Sequence, residues 1–238
     1  MPNKPFIFKK FSVSQDKSAM KIGTDGVLLG AWTSIKQNPF SVLDIGAGTG
    51  IISLMLAQRC HAELIDAIEV DDITYEQCIE NFENSPWNDR LFCYHASLQE
   101  FVEEIDDEYD LIVSNPPFYS DEYKSGNIQR DMARFQDALP FKHLLESVSK
   151  LLSETGIFSV IIPYKEEDKF ISIASHINLF LNRILRVKGY PTSEVKRSLL
   201  EFSFTKSSVQ IDELIIETER HQYTKDYIDL TKDFYLKM

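Results

Sequence analysis

Cysteine is scarce in this chain of 238 residues, with three in all and no CxxC pair. An odd number of cysteines, set in segments that read as helices and a strand, argues against a disulfide framework or a metal site. Cys60, Cys78 and Cys93 are expected to be buried packing residues. Long apolar runs are missing too. Nothing approaches the roughly 18 residues that suggest a membrane span, and the opening Met1-Pro2-Asn3-Lys4-Pro5 has no signal-peptide core. A cytoplasmic location without a membrane partner is the expectation. Internal repeats, low-complexity stretches and a convincing linker are absent as well. Positive charge is in deficit: 25 Lys and Arg face 37 Asp and Glu, a net charge of −12. That balance excludes a protein that coats nucleic acid non-specifically, because phosphate binding needs local positive charge to release counterions.

What is present is an ordinary apolar content of 43%, enough for one large α/β domain with a substantial core. The lysines and arginines fall unevenly. Lys4, Lys9, Lys10, Lys17 and Lys21 crowd the first segment, and Arg183, Arg186, Lys188, Lys196 and Arg197 form a second cluster. Two readings stay open for them: local contacts to a nucleic acid, or ordinary solvated faces on an acidic protein.

From Ser41 onward short β-type runs alternate with helical stretches. Strands are expected at Ser41 to Ile45, Glu63 to Glu69, Leu91 to His95, Tyr109 to Ser114 and Ile157 to Ile162. Helices are expected at Thr49 to Arg59, Asp71 to Asn84, Pro140 to Leu152 and Glu166 to Ile177. Two more strands, near Ile184 to Val187 and Ser198 to Phe204, suit an antiparallel hairpin at the sheet edge. The alternation predicts a Rossmann-like α/β fold: a mainly parallel seven-stranded sheet with helices on both faces. Phe6 to Val13 alternates as a strand, and Tyr223 to Met238 reads as a helix with an aromatic face. One domain is expected over residues 1–238, with an N-terminal extension (1–40), a core (41–205) and a C-terminal tail (206–238).

The first strand runs through Asp44-Ile45-Gly46-Ala47-Gly48-Thr49-Gly50 into a helix, the place where a doubly wound sheet binds a nucleotide-like ligand. The dinucleotide fingerprint GxGxxG fails, because Ile51 stands where its third glycine would be. The spacing instead resembles the first motif of class I methyltransferases, which implies S-adenosyl-L-methionine as cofactor. A sulfonium cofactor has no pyrophosphate, so Gly46, Ala47 and Gly48 would hold its methionine moiety through backbone groups while Asp44 attracts the charged amine, directly or through water. Glu69, with Val70 after it, stands where a carboxylate would accept both ribose hydroxyls; an exposed strand-end residue is the plain alternative. In resembling enzymes the turn after the third strand often offers an Asp to the cofactor's adenine, whereas this chain has Ser97, followed by Leu98. The Ser97 hydroxyl can take over that contact, backbone can substitute for it, or Ser97 can be a helix N-cap.

Tyr109 to Ser114 empties into Asn115-Pro116-Pro117-Phe118. An exocyclic amine on an aromatic ring is a poor nucleophile because its lone pair is delocalised. The Asn115 side-chain oxygen and the Pro116 carbonyl can accept its two N–H groups and aim the lone pair at a methyl carbon. Pro117 stiffens the loop and Phe118 can stack on the base. No metal or covalent nucleophile is required. Any planar NH2 fits such a loop, so the loop alone leaves adenine, guanine, cytosine and a glutamine side chain open.

The runs Phe8-Lys9-Lys10-Phe11-Ser12-Val13 and Ala19-Met20-Lys21-Ile22-Gly23-Thr24-Asp25-Gly26-Val27-Leu28-Leu29-Gly30-Ala31-Trp32 resemble the N-terminal signature of a bacterial family, the tRNA (adenine-N6) methyltransferases of valine tRNA. Asn84-Ser85-Pro86-Trp87, Gln129-Arg130, Ala133-Arg134 and Phe234-Tyr235-Leu236 extend the resemblance over almost the whole chain. It implies methylation of the adenine just 3′ of the anticodon, with Lys21 and Thr24 near the methionine end of the cofactor. Arg130 and Arg134, together with Lys9 and Lys10, would reach the RNA; pairing of the two arginines with Asp131 and Asp137 is the plain alternative. A monomer is expected. Two competing readings are a glutamine-N5 protein methyltransferase, whose separate helical N-terminal domain has only roughly 40 residues to occupy here, and a non-catalytic RNA-binding module.

Overall fold

The computed structural model describes residues 4–18, 21–117 and 140–238. The chain begins with two short strands, β1 (Phe6–Ile7) and β2 (Ser12–Val13), then α1 (Thr24–Trp32). The alternating part follows: β3 (Ser41–Ile45), α2 (Ile51–Arg59), β4 (Leu64–Glu69), α3 (Asp72–Glu83), β5 (Leu91–His95), α4 (Leu98–Glu104), β6 (Tyr109–Ser114), α5 (Phe141–Leu151) and β7 (Leu152–Pro163). A 3-10 turn (Tyr164–Glu166) leads into α6 (Glu167–His176), β8 (Phe180–Lys188), β9 (Val195–Ser203) and β10 (Gln210–Ile215). A small ribbon, β11 (Glu217–Glu219) with β12 (Gln222–Tyr223), and α7 (Lys225–Thr231) close the chain.

The main sheet has the order β10-β8-β9-β7-β6-β3-β4-β5. All neighbours pair parallel except β9, which runs antiparallel to both β7 and β8. The expected mainly parallel sheet is therefore present, with eight strands rather than seven. The additional strand is β10, which pairs parallel with β8 and so moves the β8–β9 hairpin one place in from the edge. Two further corrections concern the ends. Phe6 to Val13 is not one strand but a tight hairpin, turned by the Phe8 N–H donating to the Phe11 carbonyl at 2.8 Å. The C-terminal helix is shorter than the apolar pattern suggests; it starts at the Thr224 cap and stops at Thr231.

Two apolar layers sandwich the sheet. One joins α1, α2, α3 and the chain's ends through Leu28, Leu54, Met55, Phe82 and Phe234. The other joins α4, α5 and α6 through Phe101, Leu144, Val148, Phe158 and Phe170. Strands covered on both faces read as continuous apolar runs rather than alternating ones, and all five residues of β3 are buried. In α5, Leu144, Leu145, Val148 and Leu151 recur at helical spacing and all are buried. Capping fixes where helices begin: the Asp71 carboxylate accepts from Thr74 N at the start of α3, and Ser97 with Glu100 forms a capping box on α4. Cys60 and Cys78 are buried and Cys93 half-buried, all as free thiols. Among the described residues, no helix is long and apolar enough to cross a membrane.

Candidate active site

Because β3, β4, β5, β6 and β7 are parallel, their last residues, Ile45, Glu69, His95, Ser114 and Pro163, line one edge of the sheet. Loops at the carboxyl ends of parallel strands are where such folds hold ligands. The glycine loop leaves β3 there. Gly46 and Gly48 have φ of 73° and 58°, left-handed values that favour glycine. A Cβ on either would meet nothing within 4 Å, so both face open space that a ligand can fill. The loop is anchored from below, with Gly46 N and Ala47 N each donating to the Ile68 carbonyl at 3.0 Å.

Asp44 lies under this loop with 0% exposure. Its Oδ2 accepts from Ser53 Oγ at 2.7 Å and Ser53 N at 3.2 Å, whereas Oδ1 is buried without a partner. A buried acceptor left unpaired is costly. Burial dominates its titration and pushes the Asp44 carboxyl up to about 7, with the Ser53 hydrogen bonds pulling the other way and Glu69 adding to the rise. An ammonium group or an ordered water reaching Oδ1 would satisfy that oxygen and favour the ionised form. Asp44 therefore fits the amine of a cationic ligand seated on the loop.

Glu69 is held by three backbone donors. Its Oε2 accepts from Gly48 N at 2.9 Å, and its Oε1 accepts from Val70 N at 2.9 Å and Asp71 N at 3.0 Å. The carboxylate is thus fixed in the crevice between the ends of β3 and β4, with lone pairs left for hydroxyl donors. Val70 and Ile73 are exposed beside it, forming an apolar ledge, and Tyr75 stacks on His95 with ring centroids 5.0 Å apart. The Ser97 hydroxyl is largely committed to the capping box, donating to Glu100 Oε2 at 2.7 Å and accepting from Glu100 N at 3.2 Å. One lone pair remains on it. Leu98 is buried behind Ser97.

At the end of β6, the Ser114 hydroxyl donates to the Ile45 carbonyl at 2.9 Å, tying the two strand ends together and setting Asn115 beside the glycine loop. Pro116 is buried, with Asn115 and Pro117 half-exposed on either side. Phe118, Arg130 and Arg134 lie outside the described residues.

Thr24 opens α1, and Lys21 precedes it and is exposed. Gly26 packs on Ile51 and Gly30 on Met55. The repeated offset makes α1 and α2 parallel, with their N-termini side by side at the glycine-loop edge. Asp25 pins that end of α1 to Arg197 of β9 at 2.8 Å. Lys21 and Thr24 thus share an edge with Gly46, Glu69 and Asn115.

Lys9 and Lys10 do not. They border a pocket with Gln58, Arg59 and Asp233 at the far end of α2, and the Lys9 ammonium donates to the Met238 carbonyl at 3.0 Å and to that of Lys232. The N-terminal hairpin docks on the C-terminal tail, which sets Lys9 and Lys10 at the edge away from the Asn115 loop. The second basic cluster is mostly neutralised: Arg183 pairs with Glu201, Arg186 with Glu167, Lys188 with Glu213 and Arg197 with Asp25. Two residues of the site were not expected from the sequence: Ser53, and Asn81, whose amide donates to the carbonyls of Thr49 and Ser14 at 2.9 Å. Neither carries a local motif that marks it. Among the described residues, no group of three or more His, Cys, Asp and Glu is placed to hold a metal ion.

The methyltransferase small domain family matches residues 23–160. A tRNA1(Val) (adenine(37)-N6)-methyltransferase of Flavobacterium psychrophilum is 66% identical over 98% of this chain and all of its own length. The protein of that name in Bacteroides fragilis is 45% identical over 98% of both chains. Among solved structures, a predicted O-methyltransferase from Agrobacterium tumefaciens aligns with a TM-score of 0.68 at 19% identity, covering 88% of this chain and 96% of its own, a likeness of fold. The chain belongs to the methyltransferase small domain family and, within it, to the tRNA1(Val) (adenine(37)-N6)-methyltransferases.

Proposed function

We propose that this chain transfers a methyl group from S-adenosyl-L-methionine to N6 of adenine 37 in valine tRNA, the activity in the names of its relatives. The observation that carries the reading is the placement of Asn115-Pro116-Pro117 beside an open glycine loop that covers a buried carboxylate with one unpartnered oxygen. S-adenosyl-L-methionine, when bound, supplies a methyl group already activated by sulfonium charge. Asp44 Oδ1 and the glycine-loop backbone fit its methionine end, with Lys21 and Thr24 on the same edge. Glu69 fits the ribose hydroxyls. Val70, Ser97 and Leu98 border the place left for its adenine.

Asn115 then does two things for the target base. Its side-chain oxygen and the Pro116 carbonyl accept the two N–H groups of the exocyclic amine, which fixes the nitrogen and turns its lone pair toward the methyl carbon. The same acceptors stabilise positive charge as it develops on that nitrogen. Pro116 and Pro117 restrict the backbone that carries them. Phe118 as a stacking partner, and Arg130 and Arg134 as phosphate contacts, complete the reading from the sequence. One domain spanning residues 1–238 and acting as a cytoplasmic monomer belongs to the same proposal.

The test is methyl transfer from labelled S-adenosyl-L-methionine to total bacterial tRNA, followed by nucleoside mass spectrometry. Label in N6-methyladenosine from one anticodon loop supports the reading. Label taken up by protein and not by RNA moves the substrate to a glutamine side chain and overturns it.

A further inference from the structure

We propose that Tyr164, braced by Arg186 and flanked by Lys165 and Lys196, is a stacking platform for an unpaired nucleotide neighbouring the target base. The inference rests on the RNA reading above and adds a residue set to it.

Strand register sets the end of β7 beyond the end of β6. Ser114, the last residue of β6, pairs with Val160 of β7, but β7 continues to Pro163. It therefore forms a wall beside Asn115 to Pro117, and Tyr164 follows at its crest, four residues or roughly 13 Å beyond Val160. That is too far along for the base whose amine Asn115 holds, and near enough for a neighbour in the same strand. The glycine loop occupies the β3 side of β6, so the β7 side is the one left for the rest of a nucleic acid.

Tyr164 is 41% exposed and is held in place. The Arg186 guanidinium sits 5.6 Å from its ring centroid. That guanidinium is fixed by two nitrogens on Glu167, with Nη2 to Oε1 at 2.6 Å and Nε to Oε1 at 3.2 Å. Glu167 is itself buried and also accepts from the Ser198 hydroxyl. An aromatic ring pre-set by a cation and partly open to solvent suits base stacking, which tolerates any base because every base has a π face.

The charge pattern agrees. Pro163 pairs with Arg197, so Lys196 follows on the next rung, level with Tyr164, and Lys165 is its chain neighbour. Both lysines are exposed. In a protein of net charge −12, Arg186 and Arg197 beside them are taken up by Glu167 and Asp25, whereas the ion pairs found among the described residues leave Lys165 and Lys196 available. A stacking ring between two such cations is what single-stranded RNA needs for a base and its flanking phosphates.

The experiment measures fluorescence anisotropy of an RNA hairpin with the sequence of a valine anticodon stem-loop, in saturating S-adenosylhomocysteine so that binding is read without turnover. Methyl transfer to the same hairpin is followed in parallel. Tyr164→Ala is expected to weaken hairpin binding about 10- to 100-fold, and Tyr164→Phe to restore it to within about threefold, since the ring is what matters. Lys165→Gln with Lys196→Gln should lower the slope of log affinity against log salt by about 1 to 1.5. Affinity for S-adenosylhomocysteine should be the same in all variants, a readout that a folding defect would move. Hairpin binding by Tyr164→Ala equal to wild type, with methyl transfer intact, overturns the platform and leaves the methylation reading standing. A wild-type protein that binds the hairpin through Tyr164 but transfers no methyl overturns the substrate reading and leaves the platform. Absence of hairpin binding by the wild type overturns the platform.

Discussion

Asp44→Asn gives a quantitative check on how the cofactor loop is built. The native carboxyl is fully buried, satisfied on one oxygen by Ser53 and unpartnered on the other, and burial raises its pKa to about 7. The unfolded carboxyl titrates at about 4, so between pH 4 and pH 7 the native state binds more protons than the unfolded state. Asp44's contribution to stability without ligand is therefore most favourable below about pH 4, falls by about 1.4 kcal/mol per pH unit up to about pH 7, and is level above it. The full cost of ionised Asp44 is about 4 kcal/mol as an upper bound. The amide introduced by Asp44→Asn has nearly the same shape as the carboxyl and does not ionise. The variant's advantage over the wild type in urea unfolding should grow from near zero at about pH 4 to a few kcal/mol at about pH 8. Binding shows the opposite sign: wild-type affinity for S-adenosyl-L-methionine should rise through about pH 5 to 7 as the carboxylate forms, and the variant should bind about tenfold or more weakly with no such rise. The assay is urea denaturation of both proteins across that pH range, with and without saturating ligand. Parallel stability profiles for the two proteins would show that Asp44 is not a buried carboxyl with a raised pKa.

Other consequences follow from the same geometry. Asn115→Ala should lower the methyl-transfer rate about 100-fold or more while leaving cofactor affinity within about threefold; calorimetry showing an equal loss of binding would contradict its role. Gly50→Ala should cost about 2–4 kcal/mol, because φ is 76° and the new Cβ would collide with Phe82 Cε1; a melting temperature unchanged from wild type would contradict that packing. Arg183→Met should cost about 3–5 kcal/mol, since it leaves the buried Glu201 carboxylate without its partner at 3.1 Å, and denaturant unfolding reads it. Arg130→Ala with Arg134→Ala should flatten the salt dependence of tRNA binding by about one slope unit per phosphate contact, and an unchanged slope would argue against phosphate contacts there.

The parts of the fold legible in the sequence are those where burial on both faces leaves an unbroken apolar run. Ser41–Ile45 and Tyr109–Ser114 have the boundaries the sequence implies; Leu91–His95 does too, as an edge strand with only Leu91 buried that is marked by its β-type residues instead. The strand at Gln210–Ile215 is not legible because an edge strand carries little apolar signal: of its six residues only Leu214 is buried. Phe6 to Val13 reads as one strand because alternation says nothing about a turn at Lys9 and Lys10. In the site, the glycine loop and the Asn115 loop are visible because backbone conformation and amine chemistry restrict residue types locally. The fate of the basic clusters is not visible, since Asp25, Glu167, Glu201 and Glu213 are remote in sequence from at least some of their partners. Ser53 is hidden for a similar reason: its partner Asp44 lies across the strand-to-helix turn, and an ordinary serine in a helix gives no sign of that contact.

In the proposed function Asn115 presents the N6 amine of adenine 37 for methylation. The most direct test of that role is to treat two valine tRNA transcripts, one with adenosine and one with guanosine at position 37, with the protein and S-adenosyl-L-methionine, and to analyse the ribonuclease fragments by mass spectrometry. The account predicts that the fragment containing position 37 gains the mass of one methyl group in the adenosine transcript alone, and that Asn115→Ala abolishes the gain. Methylation of both transcripts, or of a fragment that does not contain position 37, would contradict it.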